Sequence, residues 1–278
     1  MNTVRPKKFL GQHFLTDMGI ARRIADTVDA APSADLPVLE VGPGTGVLTQ
    51  FLLPKQRELK VVEIDFESVA YLREHFPQLE EQIIEDDFLT MRLERTFGGR
   101  PFILTGNYPY NISSQIFFKM LESRALIPIC TGMLQKEVAE RLAATPGGKA
   151  RGILSVLVQA WYDVEYLFTV EPTAFNPPPK VRSGVVCLRR REGAVLGCDE
   201  ALFRRVVKTT FGQRRKMLRG PLRGLLTQLD TAAGHGEAVS HAAFLSQPFL
   251  TRRPEQLTVA EFAELTQRIS EEVQNPLK

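Results

Sequence analysis

A glycine-rich loop between an apolar strand and a helix is the feature that most restricts the fold of this chain. Val38–Val41 is apolar, Gly42-Pro-Gly-Thr-Gly46 follows it at once, and a helical run continues through Leu53. Glycines at such a junction let the backbone turn sharply and approach a ligand closely, although the loop alone equally fits a structural turn. The glycine fingerprint of dinucleotide-binding proteins would need a third glycine where the chain has Val47, so the main evidence for binding of NAD or FAD is absent.

Strands alternate with helices along the first half of the chain. Four further apolar runs predict strands, each followed by a helical or polar stretch: 59–65, 83–88, 101–106 and 128–135. Because consecutive strands are separated by helices, this order predicts a parallel sheet with right-handed crossovers.

Two later runs predict the edge of this sheet. Residues 153–162 and 181–188 are rich in β-branched side chains and flank a proline-rich stretch, which predicts an antiparallel hairpin. We therefore expect an α/β fold: a Rossmann-like, mostly parallel sheet with one antiparallel edge hairpin in residues 1–192. Residues 193–278, where glycine and proline separate helical runs, predict a small all-helical domain.

Composition excludes several classes of protein. With 44% hydrophobic residues in 278, the chain can form a large core and is not a disordered protein. Its three cysteines show no paired spacing, which is typical of a reducing cytosol and not of a disulfide framework. We find no signal peptide, no run long enough to cross a bilayer and no metal-ligand spacing. The expectation is a cytoplasmic protein without a metal.

Positive charge is concentrated in one window. The net charge is only +3, but residues 176–225 contain thirteen Lys and Arg residues against three acids. A basic zone on an otherwise acidic chain indicates a polyanion partner, with a solvated helix face as the alternative.

Acidic residues follow the second and third predicted strands. Glu63 lies near the end of one strand, and Asp86 and Asp87 end the next. In a parallel sheet these ends share one edge with the glycine loop, so Glu63 can accept from ribose hydroxyls and an aspartate from an adenine amine. The pattern predicts an adenosine-containing ligand, while capping of a loop remains the alternative for one of the two aspartates.

The stretch Asn107-Tyr-Pro-Tyr110 follows the fourth predicted strand. It offers an amide oxygen, a backbone bent by proline and a flat ring, which together suit a planar heterocycle with an amino group. The Asn107 side-chain oxygen and the Tyr108 carbonyl are predicted to accept the two N–H bonds of that amine.

These residues resemble class I S-adenosylmethionine-dependent methyltransferases that act on exocyclic amines of nucleobases. Further motifs narrow the resemblance to the KsgA-type small-subunit ribosomal RNA adenine N6,N6-dimethyltransferases of bacteria, over about residues 5–220. The motifs are Phe9-Leu-Gly-Gln-His-Phe-Leu15, Gly106-Asn-Tyr-Pro-Tyr-Asn-Ile-Ser113, Met133-Leu-Gln-Lys-Glu-Val-Ala139, Ala174-Phe-Asn-Pro-Pro-Pro-Lys-Val-Arg-Ser183 and Phe211-Gly-Gln-Arg-Arg-Lys216.

The resemblance implies a class I methyltransferase fold, S-adenosylmethionine as cofactor and dimethylation of two adjacent adenosines during small-subunit biogenesis. The expected cofactor contacts are His13, Leu15, Gly42, Gly44, Glu63, Asp87 and Asn107. His13 stands where asparagine is usual, and Tyr108 where leucine or proline is usual.

The target base is expected to lie between two aromatic rings. Tyr110 is predicted to stack on one face and Phe175, from the proline-rich loop, on the other, with a core position as the alternative for Phe175. Asn107, Tyr108, Tyr110 and Phe175 are thus the predicted catalytic group.

A basic helical surface is expected to bind the RNA backbone of an immature small subunit, with the protein acting as a monomer. Its predicted residues are Arg205, Lys208, Arg214, Arg215, Lys216 and Arg219, aided by Lys7, Lys8 and Arg141. Two other functions remain open: a large-subunit adenine methylase of the antibiotic-resistance type, and a mainly non-catalytic assembly checkpoint protein.

Overall fold

The apolar runs form strands of a seven-stranded sheet in a computed structural model, which describes residues 4, 6–7, 10–31, 34–235 and 239–275. A separate pair of two-residue strands lies beside it. The strands are β1 (Phe14–Leu15), β2 (Val38–Val41), β3 (Leu59–Glu63), β4 (Ile83–Glu85), β5 (Ile103–Thr105), β6 (Ile129–Gln135), β7 (Tyr162–Val170), β8 (Phe175–Asn176) and β9 (Ser183–Arg190).

The sheet order is β4-β3-β2-β5-β6-β9-β7, and the first five of these strands run parallel. Strand β2 is buried along its whole length, as expected where helices cover both faces of a parallel sheet. From β2 the chain continues to β3 on one side, and it returns as β5 on the other. The carboxyl ends of β2 and β5 therefore border a topological switch point, where open α/β sheets bind ligands.

Ten α-helices complete the described part of the chain. They are α1 (Met18–Asp26), α2 (Thr49–Leu52), α3 (Phe66–His75), α4 (Ser113–Glu122), α5 (Lys136–Leu142), α6 (Ile153–Gln159), α7 (Glu200–Gly212), α8 (Arg219–Ala232), α9 (Ala242–Leu245) and α10 (Val259–Gln274). Aspartates begin three of them: the side chains of Asp17, Asp65 and Asp199 accept backbone N–H groups in the first turns of α1, α3 and α7. None of the described helices is both long and apolar enough to cross a membrane.

The edge hairpin is present, but its first strand was predicted at the wrong residues. Strand β7 begins at Tyr162 and pairs antiparallel with β9, whereas 153–159, predicted as a strand, is helix α6. Residues 154–158 are all buried, so this apolar run shows neither the period of a strand nor that of an amphipathic helix. The predicted fold class, a Rossmann-like, mostly parallel sheet with one antiparallel edge hairpin, is confirmed.

The chain divides into two compact units. The sheet unit consists of Met1–Ala143 and Tyr162–Arg191, and the helical unit of Ala144–Trp161 and Glu192–Lys278. The predicted domain boundary between residues 192 and 193 lies one residue from the observed boundary between Arg191 and Glu192. Residues 144–161, however, belong to the helical unit, because α6 packs on α7 and α10. Binding of the cofactor and methyl transfer by residues 1–192, and RNA binding by residues 193–278, stay predictions.

Each unit has its own apolar core. In the sheet unit, Ile24, Val61 and Ile103 belong to one buried cluster. In the helical unit, Phe203, Val206 and Phe262 are fully or almost fully buried. The core of the sheet unit holds the strand ends in place, and those ends carry the residues described next.

Candidate active site

A cavity of about 170 Å³ opens at the carboxyl ends of the parallel strands of the sheet unit. Its wall includes nine of the ten residues predicted for the cofactor and the target base: His13, Leu15, Gly42, Gly44, Glu63, Asp87, Asn107, Tyr108 and Tyr110. These residues are far apart in the sequence, and the switch point of the sheet brings them together. Their individual roles remain predictions.

The glycine loop after β2 forms one wall. Gly42, Gly44 and Gly46 have φ values of +66°, +56° and +76°, a region that other residues rarely adopt. A Cβ on Gly44 would lie 3.0 Å from the Phe14 ring, and one on Gly46 would lie 2.3 Å from the Phe76 ring. Gly44 therefore allows the Phe14 ring to pack directly against the backbone of the cavity wall, whereas Gly46 allows the Phe76 ring to do so outside the cavity.

Glu63 ends β3 and is only 5% exposed. Its Oε2 accepts the N–H of Gly44 at 3.0 Å, and its Oε1 accepts those of Ile64 and Asp65 at 3.0 and 2.9 Å. Burial raises the pKa of Glu63, opposed by the hydrogen bonds from Asp65 and Gly44. The three N–H groups hold the carboxyl rigidly and leave about one of its four acceptor sites for a ligand hydroxyl.

Glu40 is a cavity residue that the sequence reasoning missed. It is 1% exposed within β2 and accepts the Thr49 hydroxyl at 2.7 Å. Burial raises the pKa of Glu40 to about 8, and the neighbouring Glu63 adds to the shift. The signal was available, because a carboxyl two residues before the glycine loop interrupts an otherwise apolar strand.

The two aspartates after β4 have different positions. Asp87 lines the cavity, and its Oδ1 accepts the N–H of Leu89 at 2.9 Å in a local turn. Asp86 is exposed, and its Oδ1 accepts the N–H of Asp87 at 2.7 Å. Asp86 thus serves as a loop cap, while Asp87 combines a capping oxygen with a second oxygen suited to a ligand amine.

Asn107 follows β5 and is held through both its backbone and its side chain. It forms an isolated parallel bridge with Met133, and the next N–H, that of Tyr108, donates to the Met133 carbonyl at 2.8 Å. The Asn107 Nδ2 donates to the His13 carbonyl at 3.2 Å. This bond fixes the direction of the amide, so its oxygen remains the acceptor for a substrate.

The Tyr108 ring, which had no predicted role, anchors this stretch. The residue is 1% exposed, its hydroxyl donates to the Thr131 carbonyl at 2.7 Å, and its ring meets Phe117 edge-on at 5.8 Å. Burial raises the pKa of this phenol well above its ordinary value, so it stays a neutral donor. The ring therefore supports the backbone carbonyl that the sequence singled out.

Tyr110 and His13 form an aromatic corner of the cavity. Their ring centroids are 5.2 Å apart at an interplanar angle of 35°, and the Tyr110 hydroxyl is hydrogen-bonded to Ser183. His13 Nδ1 lies 3.0 Å from the Pro177 carbonyl, which can only accept, so Nδ1 carries the proton. The motif containing Pro177 and Ser183 thus supports both rings.

The described lining of the cavity does not include Phe175, so the structure favours a core position, and its role as a second wall stays a prediction without structural support. It is 4% exposed, lies opposite Leu15 in the pairing of β8 with β1, and belongs to the same core cluster as Leu15 and Ile24. The proline-rich loop directs this aromatic side chain into the core, which is the alternative that the sequence left open.

The predicted basic residues lie in the helical unit, although not on one helix face. Helix α7 ends at Gly212, so Arg205 and Lys208 lie on α7, the cluster 214–216 follows in a turn, and Arg219 begins α8. Arg215, Lys216 and Arg219 line a concave surface together with Arg253, which was not predicted. Arg214 donates to the Lys149 carbonyl at 2.6 Å, and Arg205 to Gln228 at 2.8 Å.

Two of the auxiliary cations are engaged within the sheet unit. Lys7 forms ion pairs with Asp65 and Glu67, and Arg141 with Glu137. Lys8 lies outside the described residues. In the part of the chain that is described, no group of three or more His, Cys, Asp or Glu side chains is arranged to hold a metal ion.

Comparisons with known proteins agree with this geometry. Residues 3–245 match the family described as ribosomal RNA adenine dimethylase. The chain is 60% identical to ribosomal RNA small subunit methyltransferase A of Phocaeicola vulgatus, over 99% of this chain and 93% of that protein. It is 59% identical to the protein of the same name from Bacteroides fragilis, over 100% and 97%.

Two solved structures resemble more than nine-tenths of the chain. A dimethyladenosine transferase from Plasmodium falciparum superposes with a TM-score of 0.73 at 25% identity, covering 93% of this chain and 98% of that one. The 23S rRNA methyltransferase ErmE superposes with a TM-score of 0.62 at 29% identity, covering 92% and 99%.

Proposed function

Because this chain belongs to the ribosomal RNA adenine dimethylase family, we propose that it dimethylates N6 of adenosines in small-subunit ribosomal RNA with S-adenosylmethionine as donor. The observation that carries the proposal is the single cavity that joins the glycine loop, Glu63, Asp87 and Asn107. A donor site alone would fit many methyltransferases, whereas Asn107 and Tyr110 in the same cavity fit an aromatic amine as acceptor.

The residues present fit an adenosine-containing donor. Glu63 keeps an acceptor site for a ribose hydroxyl, and Asp87 keeps an oxygen for the adenine amine. The glycine loop leaves no side chain between β2 and the cavity at Gly42 and Gly44. When bound, S-adenosylmethionine supplies an electrophilic methyl group on a sulfonium centre.

Asn107 and Tyr108 orient the acceptor amine. The lone pair of adenine N6 is delocalised into the ring, so this nitrogen is a poor nucleophile. Hydrogen bonds from its two N–H groups to the Asn107 oxygen and the Tyr108 carbonyl favour a more tetrahedral nitrogen. Because Asn107 is anchored by His13 and Met133, these acceptors are pre-positioned, and positioning supplies much of the rate.

The reaction needs no strong base in the cavity. After transfer the nitrogen is cationic, so its proton is acidic and leaves to water. The second transfer starts from an amine with one N–H, which requires only one of the two acceptors. Tyr110, tied to Ser183, is placed to hold one face of the base, and the opposite face has no assigned aromatic residue now that Phe175 lies in the core.

The small subunit is favoured over the large one by the degree of similarity. Relatives named as small-subunit methyltransferases are 60% and 59% identical to this chain, and the 23S enzyme is 29% identical. The concave surface with Arg215, Lys216 and Arg219 is the proposed contact for the RNA backbone of an immature subunit. We infer a monomeric protein in the cytoplasm, in keeping with its free cysteines.

Transfer of a tritiated methyl group tests the proposal on unmethylated small subunits, large subunits and naked RNA. We expect dimethyladenosine in the RNA of small subunits, and a loss of about 100-fold or more in rate for Asn107→Ala. Asn275→Ala, an exposed change at the end of α10, is the matched control.

The other outcomes discriminate between the rival functions. Label found only in large subunits would identify the resistance-type enzyme. No label in any of the three substrates would favour a checkpoint protein. A wild-type rate for Asn107→Ala would refute the assignment of that residue.

A further inference from the structure

Lys119 lies outside the cavity but is bonded to one of its walls. The residue is in the last turns of α4, half-buried, and its Nζ donates to the carbonyls of Leu89 at 2.9 Å and Met91 at 2.6 Å. Among the ion pairs of the described residues none involves Lys119, and its Nζ lies 5.8 Å from the centroid of the Phe88 ring. Lysine side chains usually keep the ammonium group in water, whereas the ammonium group of Lys119 donates to two backbone carbonyls.

The two carbonyls belong to the loop that starts at Asp87. Within this loop the Asp87 carbonyl accepts the N–H groups of Thr90 and Met91 at 3.0 and 2.9 Å, and Asp87 Oδ1 accepts that of Leu89. Asp87 and Leu89 line the cavity. The internal bonds therefore shape the turn, while Lys119 attaches it to α4.

Helix α4 is itself tied to the acceptor side of the cavity. It begins at Ser113, whose hydroxyl donates to the Tyr110 carbonyl at 3.0 Å. One helix thus joins the stretch that carries Asn107 and Tyr110, at its start, to the Asp87 loop, near its end. Burial lowers the pKa of Lys119, although the acids Glu122, Asp87, Glu94 and Asp86 oppose this effect.

We propose that Lys119 is a positioning residue that holds the 87–91 loop so that Asp87 reads the 6-amino group of the donor's adenine. This inference rests on the proposed donor and adds a determinant of its specificity. In a flexible loop, the Asp87 carboxylate would move away from the adenine or become hydrated. The 6-amino group would then lose its charge-assisted hydrogen-bond partner. Lys119 supplies two charge-assisted bonds to the loop, whose own hydrogen bonds are all local.

Calorimetric titration with two ligands tests the proposal. One is S-adenosylhomocysteine, and the other is its analogue with purine in place of adenine, which lacks the 6-amino group. The wild-type protein should prefer the adenine ligand. In Lys119→Met the Kd for S-adenosylhomocysteine should rise about 10-fold while the Kd for the purine analogue stays within about twofold, because only the reading of the amine is lost.

The chain offers a close control. Lys60 Nζ donates to the Thr96 carbonyl at 2.7 Å and lies 5.3 Å from the Phe97 ring centroid, which is a similar environment away from the cavity. Lys60→Met should change neither Kd. In Asp87→Ala the preference should be lost, and adding Lys119→Met should reduce it no further, since both changes act on one contact.

Equal weakening of both ligands by Lys119→Met, or no change in either, would overturn the inference. If that variant does not fold, Lys119→Gln, which keeps a donor without the charge, is measured in the same way and judged by the same ratio. A wild-type protein that binds neither ligand would instead contradict the proposed function, so the two failures are distinguishable.

Discussion

Replacing Glu40 by glutamine should stabilise the protein at alkaline pH. The carboxyl is fully buried, and its pKa is raised from 4.5 to about 8, chiefly by burial. Between these two values the folded state binds more protons than the unfolded state, so stability falls as the pH rises through that window. One pKa unit corresponds to about 1.4 kcal/mol. Relative to acidic pH, the folded state therefore loses about 3 kcal/mol of stability by pH 7, where the folded carboxyl is still mostly protonated, and about 5 kcal/mol well above pH 8.

Glutamine resembles the protonated carboxyl in shape and keeps an oxygen that can accept the Thr49 hydroxyl. The unfolding free energy of Glu40→Gln should therefore lie within about 1 kcal/mol of wild type at pH 5. The difference should grow to about 5 kcal/mol in favour of the variant at pH 9.

Urea titrations followed by circular dichroism, from pH 5 to pH 9, measure this difference. Glu80→Gln, an exposed change in the same unit, is the control and should leave the curve unchanged. The reasoning is refuted if the difference between Glu40→Gln and wild type does not depend on pH. The same result would remove the case for a neutral Glu40 beside the donor site.

Two further substitutions test features that the sequence did not reveal. Phe175→Leu should reduce stability by about 1 kcal/mol but keep most of the methyl-transfer rate, because Phe175 packs in the core; a selective loss of rate in a stably folded variant would restore the stacking role. His241 lies between Asp230 and Glu272 at 2.6 and 2.9 Å; burial opposes its protonation, but the two hydrogen bonds raise its pKa above 6.5. Its stabilising contribution is therefore present below pH 6.5 and lost as the pH rises through the raised pKa. The protection factors of the α10 amides, which correct for the intrinsic increase of exchange with pH, should fall there in wild type and stay constant in His241→Phe. An equal fall in both proteins would contradict this account.

Local chemistry was sufficient to predict the ends of the parallel strands. Gly42, Glu63 and Asp87 each follow an apolar run, and the rule that parallel strands end at one edge places them together without any other information. The prediction of a shared site needed only the order of strands and helices. The same holds for Asn107, because it follows the next strand of the series.

Contacts between distant segments could not be predicted in this way. Helix α6 was misassigned because its apolar run is buried on all sides, and only its packing on α7 and α10 decides its conformation. The core packing of Phe175 was not predicted as its main role, because nothing local indicates that β8 pairs with β1 and places this side chain in the core. Lys119 carried no signal, since its partners are carbonyl groups, which are present at every residue.

The Tyr108 position shows how such a contact connects with catalysis. A Cβ at Gly132 would lie 2.8 Å from the Tyr108 ring and 2.3 Å from the Gly106 carbonyl, so a large ring at 108 depends on glycine at 132. The ring fills this space and its hydroxyl holds Thr131, while the N–H of Tyr108 holds Met133. The departure from leucine or proline at this position therefore adds an anchor to β6. The proposed acceptors for the substrate amine are Asn107 and the Tyr108 carbonyl. The anchor at Tyr108 therefore helps to position these acceptors and takes no part in the chemical step.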